Sequence, residues 1–415
     1  MNAPSFRGRD VDDHRRAVVT LLASVPRTSE DIPLVDLIGS AYRTLASDVV
    51  APADLPTFDN SQMDGFAIRS ADLAADGQTT LAITGHVAAG TDAGVLAAGE
   101  ACAVMTGAPL PVGADAVVPI EQSGVGSFPG PGDRAVMRVS GIAAGQFVRP
   151  AGSDVRRGEV IAPAGSPVTA PLVGALAATG IDDVELLHPL RVLVVATGSE
   201  VRSASEADRS ASVLDANTPA LLALVRGCGA VGTACKIVAD DPDQLLRALD
   251  AATESVDLVV TTGGVSMGAH EVVREALGPR GLDVGTVAMQ PGGPQGLGVV
   301  RLSDRVVPVI AFPGNPVSAL VSAEMFLRPA LLEVNGWAAE RARVSGPLVG
   351  STDSPSGKLQ LRRGRLRPDG AIEFVGGPSS HLLTSFGRAN LLVRIPADRV
   401  RVDEGHIVDA WRIDA

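Results

Sequence analysis

Between residues 191 and 331 apolar runs of strand length alternate with segments of helical spacing. The strands read RVLVVATG (191–198), AVGTACKIV (230–238), VDLVVTTGG (256–264), DVGTVAMQ (283–290) and VVPVIAFPG (306–314). Helical spacing falls on 217–229, 241–255, 271–277 and a last stretch from Val317 to Leu331. This βαβα rhythm predicts a doubly wound, mostly parallel α/β sheet over 188–334. The flanks differ. Residues 10–25 and 29–49 carry helical spacing, so two N-terminal helices are expected. From 51 to 140 short apolar runs are broken by Gly and Pro, predicting a small β-rich domain over 58–140. Residues 141–187, with a helix over TAPLVGALAATGI, form a return linker that joins 1–57 in a discontinuous domain. After Gly336 short strands return (LQLRRGRL, AIEFVGG, NLLVRIP, HIVDAWRI), predicting a β-barrel-like domain over 335–415.

A chain of 415 residues exceeds one ordinary core, in keeping with several domains. The net charge of −12 argues against a nucleic-acid surface and for small-molecule or protein partners. Lysine occurs only at Lys236 and Lys358, so anion contacts fall to Arg, backbone N–H groups, helix dipoles or bound cations. Cys102, Cys228 and Cys235 lie in apolar runs without CxxC spacing, and the six His are scattered, which speaks against disulfides and structural zinc. A polar, acidic N-terminus and the lack of a membrane-length apolar run lead to the expectation of a cytoplasmic protein without a membrane segment.

Two loops carry the chemistry. Thr262-Gly263-Gly264-Val265-Ser266 and Pro313-Gly314-Asn315-Pro316 each follow a buried strand. In open α/β sheets ligands sit beyond the carboxyl ends of strands, where glycines admit close approach and helix N-termini attract anions. Pro316 suits a first helical turn and Asn315 a cap. No GxGxxG follows the first strand of this unit and GxxxxGK[ST] is absent, so dinucleotide and P-loop nucleotide binding fail their own tests. Glu200, Asp215, Asp240, Asp241 and Glu271, with the hydroxyls of Thr197, Thr262 and Ser266, fall at the same sheet edge. So many carboxylates beside an anion site imply a bridging hard cation, Mg²⁺. Asp241, before Pro242, reads as a helix start alone. In the β-rich part Asp59, Asn60, Ser61 and Asp64 crowd one turn, more polar groups than a turn requires. Arg149, Asp154, Arg156 and Arg157 either pair among themselves or grip an anion.

Together LPTFDNSQMDGFAIR, MTGAPLPVGADAVVP, VRPAGSDVRRGEVI, ATGSE, DDP, TTGGVSMG, PGNPVSAL and SSHLLTSFGRANLL, in this order, make the chain resemble the molybdopterin molybdenumtransferases, the MoeA and gephyrin E-domain family. The resemblance implies a homodimer of four-domain subunits. It also implies a reaction in which molybdate is inserted into adenylated molybdopterin with Mg²⁺ and release of AMP. The implied cleft lies between the α/β domain of one subunit and the DNSxMDG-bearing domain of its partner. Carried over by position, Asp59, Asp154, Glu200, Asp240 and Glu271 are acidic active-site residues, with Asp240, Glu271 and Glu200 as metal ligands. Thr106 and Arg149 are polar site residues, joined as substrate-binding by the sheet-edge hydroxyl of Thr197, and Gly263, Gly264, Ser266, Pro313, Gly314, Asn315 and Pro316 form the pterin-phosphate cradle. Arg362, Ser379 and Ser385 would face the cleft from the C-terminal domain. The chain departs from the family at Gln290-Pro291-Gly292-Gly293-Pro294, where neither lysine of a Lys-Pro-Gly-Lys-Pro loop is present, and at Glu271, where Asp is usual. An alternative is therefore a catalytically weakened molybdopterin-binding paralogue acting as carrier or partner. A stand-alone adenylyltransferase-type activity is disfavoured by the extra domains.

Overall fold

The computed structural model describes residues 6–37, 42–74, 79–125, 127–128, 134–137, 142–203, 212–235, 239–252, 256–266, 271–302 and 305–414. At its centre is a six-stranded sheet. Arg191–Ala196 pairs in parallel with Val231–Ala234 and with Leu258–Thr262, and Leu258–Thr262 pairs in parallel with Arg305–Phe312. Antiparallel strands Pro294–Leu302 and Leu282–Thr286 complete the edge. Alternation sorts the core strands onto two faces. Val192, Val194, Leu258, Val260, Ile310 and Phe312 join the core that includes helices Val11–Ala23 and Asn217–Gly227. Leu193, Val195, Val259, Val309 and Ala311 join the core under helices Pro242–Ala252 and Val272–Leu277. Both faces are covered, as a parallel sheet requires.

The sequence pattern misses strand Pro294–Leu302, because Gly296 and Gly298 weaken its strand signature. Close packing explains them: a Cβ on Gly298 would stand 2.3 Å from the Gly281 carbonyl oxygen, and one on Gly296 2.9 Å from the Ala311 Cβ. The expected second N-terminal helix is also corrected. Ser29–Pro33 is a strand paired antiparallel with Asp183–Leu187, followed by a short 3₁₀ turn at Leu34–Leu37. Pro33 biases Ile32 away from helical backbone, and the helix-like spacing serves instead to bury Leu34, Leu37 and Leu45 against Leu176, Val184 and Leu186. Residues 38–41 lie outside the described residues. The last helical stretch runs as Pro316–Ser322, a π-helical turn over Ala323–Leu327, and Arg328–Glu333.

Upstream, strands Ala116–Pro119, Gly65–Ile68, Glu100–Val104, Thr79–Val87 and Arg134–Met137 form a five-stranded sheet in that order. Downstream, a closed barrel forms from five strands. Leu359–Leu366 pairs with Ile372–Phe374, which pairs with Arg343–Val349; Ile407–Arg412 and Leu391–Ile395 follow, and the latter pairs back onto Leu359–Leu366. Leu348, Ile372, Leu391, Val393, Ile395, Val402, Val408 and Ala410 fill it. Met289–Gln290 pairs in parallel with Leu359–Gln360, tying the α/β unit to the barrel by backbone hydrogen bonds. No described helix is long and apolar enough to cross a membrane.

The N-terminal strip is stitched to the edge strand Leu282–Thr286: Arg9 N–H donates to the Thr286 carbonyl (2.9 Å) and Thr286 N–H to that of Phe6 (3.0 Å). Beneath it His14 is fully buried, edge-on to Phe326 at 4.7 Å between ring centroids and beside Phe6 at 5.5 Å. Burial, and then the Arg9 charge, push its pKa down to about 3. Below pH ~6.5 the unfolded chain takes up a proton that the folded chain refuses, so stability falls with falling pH, at most by about 1.4 kcal/mol per unit down to the folded value. His14→Phe removes this proton uptake. The variant is expected to lose less stability than the wild type between pH ~7.5 and ~5 in urea unfolding; equal losses would contradict the role given to His14.

Candidate active site

The parallel register of Leu258–Thr262 with Arg305–Phe312 ends both strands at one level, so their following loops meet. A Cβ on Gly314 would stand 3.3 Å from Gly263 Cα, and the Asn217 side chain donates to the Gly314 carbonyl at 2.8 Å. Gly263 and Gly264 have φ of +94° and +64°, and added Cβ atoms would approach the Thr197 hydroxyl (2.7 Å) and the Val273 backbone nitrogen (2.7 Å). Glycine is thus demanded at both by conformation and by space. Asn315 caps the next helix, accepting from the N–H groups of Val317 (3.1 Å) and Ser318 (3.4 Å), with Pro316 at its first position.

A cavity of about 350 Å³ opens over these loops, lined by Thr197, Glu200, Asp240, Gly263, Gly264, Ser266, Glu271, Gly314 and Pro316 from the sequence-derived set, and by Asp215 and Thr262. Its volume lies in the range of small-molecule sites. Among the described residues its remaining lining includes Val201, Val213, Leu214 and Ala216 and no Lys or Arg. Three of its acids are tied to backbone. Asp240 accepts from Ser199 N–H (3.0 Å) and Glu271 from Ser266 N–H (2.8 Å). Asp215 accepts from Asn217 and Thr218 N–H at 3.0 Å each, capping helix Asn217–Gly227, and Asp241 likewise caps its own helix without lining the cavity. Pro313 and Asn315 shape the loop and do not line the cavity.

The sequence reading missed Asn217. Its Nδ2 holds the second loop, while its buried Oδ1 and the buried Thr262 hydroxyl have no partner among the described residues. Such atoms in a polar pocket suit a bound ligand or water. The only signal was an Asn two residues after an acid at a helix start.

Carboxylate oxygens of Glu200, Asp240 and Glu271 are the hard donors Mg²⁺ takes, and the described lining residues, acids without Lys or Arg among them, give a negative field that a cation would offset. Among the described residues no three His, Cys, Asp or Glu form a ready-made metal cluster. That fits an ion held by one or two carboxylates and completed by substrate oxygens and water.

The other sequence-derived residues lie elsewhere on the chain. Asn60–Ser61 pairs with Val148–Arg149, bringing Asp59 beside Ala151, whose N–H donates to its carboxylate at 2.7 Å. Asp64 accepts from both the N–H (2.6 Å) and the hydroxyl (2.9 Å) of Thr106, which hold its carboxyl below the usual range. Asp59, Thr106, Arg149 and Asp154 are exposed here, beside exposed Phe58, Met63 and Met105. None of them lines the 350 Å³ cavity.

In the barrel, alternation along Leu359–Leu366 separates two neighbours. Arg362 sits opposite Val393 and points into the barrel, its guanidinium 4.2 Å from the Phe374 ring centroid. Arg363 sits opposite Leu392, which belongs to the core shared with the α/β unit, and donates to the Ser379 carbonyl at 3.0 Å. The outward position expected for Arg362 is therefore taken by Arg363. The error is one of parity: without the register, either arginine of the pair fits. The Ser379 hydroxyl meets His381 Nδ1 at 2.6 Å, and Ser385 lies on the short helix Leu383–Gly387, which packs against Pro316–Ser322.

Three family models cover the chain: the MoeA N-terminal region (domain I and II) matches residues 9–180, a probable molybdopterin binding domain 193–333, and the MoeA C-terminal region (domain IV) 346–413. A Mycobacterium tuberculosis protein named molybdopterin molybdenumtransferase 2 is 38% identical over 417 residues, covering 97% of this chain and 99% of that protein. A molybdopterin molybdenumtransferase of Synechococcus elongatus is 35% identical over 390 residues, covering 92% and 94%. Among solved structures, the molybdopterin biosynthesis MoeA protein of Pyrococcus horikoshii superposes with a TM-score of 0.80 at 25% identity, covering 99% of this chain and 100% of that one. With motif order, sheet topology and full-length similarity in agreement, the chain belongs to the MoeA family of molybdopterin molybdenumtransferases.

Proposed function

We propose that the chain is a Mg²⁺-dependent molybdopterin molybdenumtransferase that inserts molybdate into adenylated molybdopterin and releases AMP, acting in the cytoplasm as a homodimer of four-domain subunits. The observation that carries this reading is the meeting of the two glycine loops above a cavity lined by carboxylates, on a chain 38% identical over its length to a protein named for this activity. Backbone N–H groups of Gly263, Gly264 and Ser266 and the N-terminus of helix Pro316–Ser322 would receive the phosphate oxygens. One or two of the carboxylates of Glu200, Asp240 and Glu271 would hold Mg²⁺, which would supply charge neutralisation at the phosphoanhydride. The chain's own part is placement: the Asn217–Gly314 bond fixes the second loop, and the backbone ties of Asp240 and Glu271 fix their carboxylates.

The molybdate pocket would lie where loop 290–294 meets the barrel, with Arg363 and the Ser379 segment supplying donors. Asp59, Thr106, Arg149 and Asp154 would close the cleft from the partner subunit, which accounts for a polar cluster standing outside the cavity of its own chain. The carrier alternative draws on one observation, the missing loop lysines. Space does not enforce that loss. A Cβ on Gly293 would meet only the carbonyl oxygens of Met289 and Val287, at 3.4 Å, whereas Gly292, at φ +93° and 2.7 Å from the Ser322 hydroxyl, must stay glycine.

AMP release from adenylated molybdopterin by the purified protein is expected to depend on molybdate and to stop when EDTA removes Mg²⁺. Tight binding of the adenylated pterin without AMP release would instead establish the carrier. Gly293→Lys is expected to raise turnover by roughly tenfold to a hundredfold, the worth of one charge-assisted contact of about 2 kcal/mol; unchanged turnover would show that the absent charge does not limit the reaction. Asp59→Ala and Glu271→Gln should each abolish turnover in a folded dimer. Random re-assortment of the two variants should restore roughly a quarter of wild-type activity, because half the dimers then carry one intact site. No recovery on mixing would place both residues in the cleft of a single subunit.

A further inference from the structure

The C-terminal barrel encloses a cation without an internal counter-charge. Arg362 is 5% exposed, and among the described residues no carboxylate pairs with it. Arginine is almost never buried to this degree unless paired, because an unpaired charge in an apolar interior costs several kcal/mol. Its surroundings compensate only in part. One Nη donates to the Thr352 hydroxyl at 2.8 Å, the Phe374 ring lies beneath the guanidinium, and the buried Nε has no partner. Burial, and then the charge of Arg363, another cation, push its pKa down to about 10.

Other polar groups are orphaned on the same inner face. Gln360 lies two residues before Arg362, opposite Ile395 of the barrel core, is 4% exposed, and has a buried Oε1 without a partner. Thr352 sits opposite the core residue Val402, and two residues on, Ser354 is 8% exposed with an unpartnered hydroxyl and its N–H on the Val400 carbonyl at 2.8 Å. A guanidinium edge, a hydroxyl and an amide that presents its NH₂ after a half-turn are all donors to an anion. A single positive charge sets the ligand's charge as well: a doubly charged oxyanion would leave net negative charge inside an apolar barrel.

We propose that the barrel interior binds one small monovalent inorganic anion, held by Arg362 with Ser354 and Gln360, as a structural counter-ion separate from the substrate cleft. The ion would neutralise the charge behind Arg363 and complete the polar end of the barrel core.

Thermal unfolding tests this, with sodium chloride replacing sodium gluconate at constant ionic strength so that screening does not change. The wild-type midpoint is expected to rise with chloride and to saturate, and Arg362→Gln to lose that rise. Should Arg362→Gln fail to fold, Ser354→Ala is expected to shift the half-saturating chloride concentration upward. Crystals soaked in bromide should show anomalous density beside Arg362. A wild-type midpoint indifferent to the exchange, an undiminished saturable rise in both variants, or bromide found on the outer surface only would each overturn the proposal.

Discussion

The site depends on one constraint, the parallel register between Leu258–Thr262 and Arg305–Phe312. It brings two loops distant in sequence to the same height at the sheet edge, so that Gly314 can abut Gly263. Every other element of the cavity is placed relative to this contact. The Asn217 amide anchors one loop, the Thr197 strand end backs the other, and the carboxylates are tied down around them by backbone N–H groups. Glycine there is a structural demand before it is a chemical one, because no side chain fits between the loops.

Cavity electrostatics follow from composition. Among the described residues the two glycine loops stand among acids, so the positive potential offered there comes from backbone amides and helix ends. Loop 290–294 shows the same economy of cations. Its path is held by the pairing of Met289–Gln290 with the barrel strand, and by the Gln295 amide, which donates to the Gly292 carbonyl at 2.6 Å and the Ser322 hydroxyl at 2.7 Å. The backbone keeps its shape without the lysines, so fold and charge at this position are separable.

Much of this was legible in the sequence where local chemistry decides. The βα alternation, both glycine loops, the Asn315 cap and most cavity-lining residues could be read from spacing and residue type. What escaped depends on distant partners. Strand Pro294–Leu302 hides behind glycines that exist to admit neighbouring atoms, and Ser29–Pro33 takes its extended form from a strand some 150 residues later. Asn217 matters through a carbonyl on another loop. The choice between Arg362 and Arg363 is a matter of register, which residue type cannot settle.

That pair also bears on how the barrel can change over evolutionary time. Consecutive positions on Leu359–Leu366 serve two different compartments, and the closed ring leaves the strand no free edge along which to re-pair. A one-residue slip of this strand against its neighbours would exchange the compartments of every side chain on it at once. Turns between the barrel strands, such as the exposed Asp403-Glu404-Gly405, can therefore change length only where the strands they join keep their register.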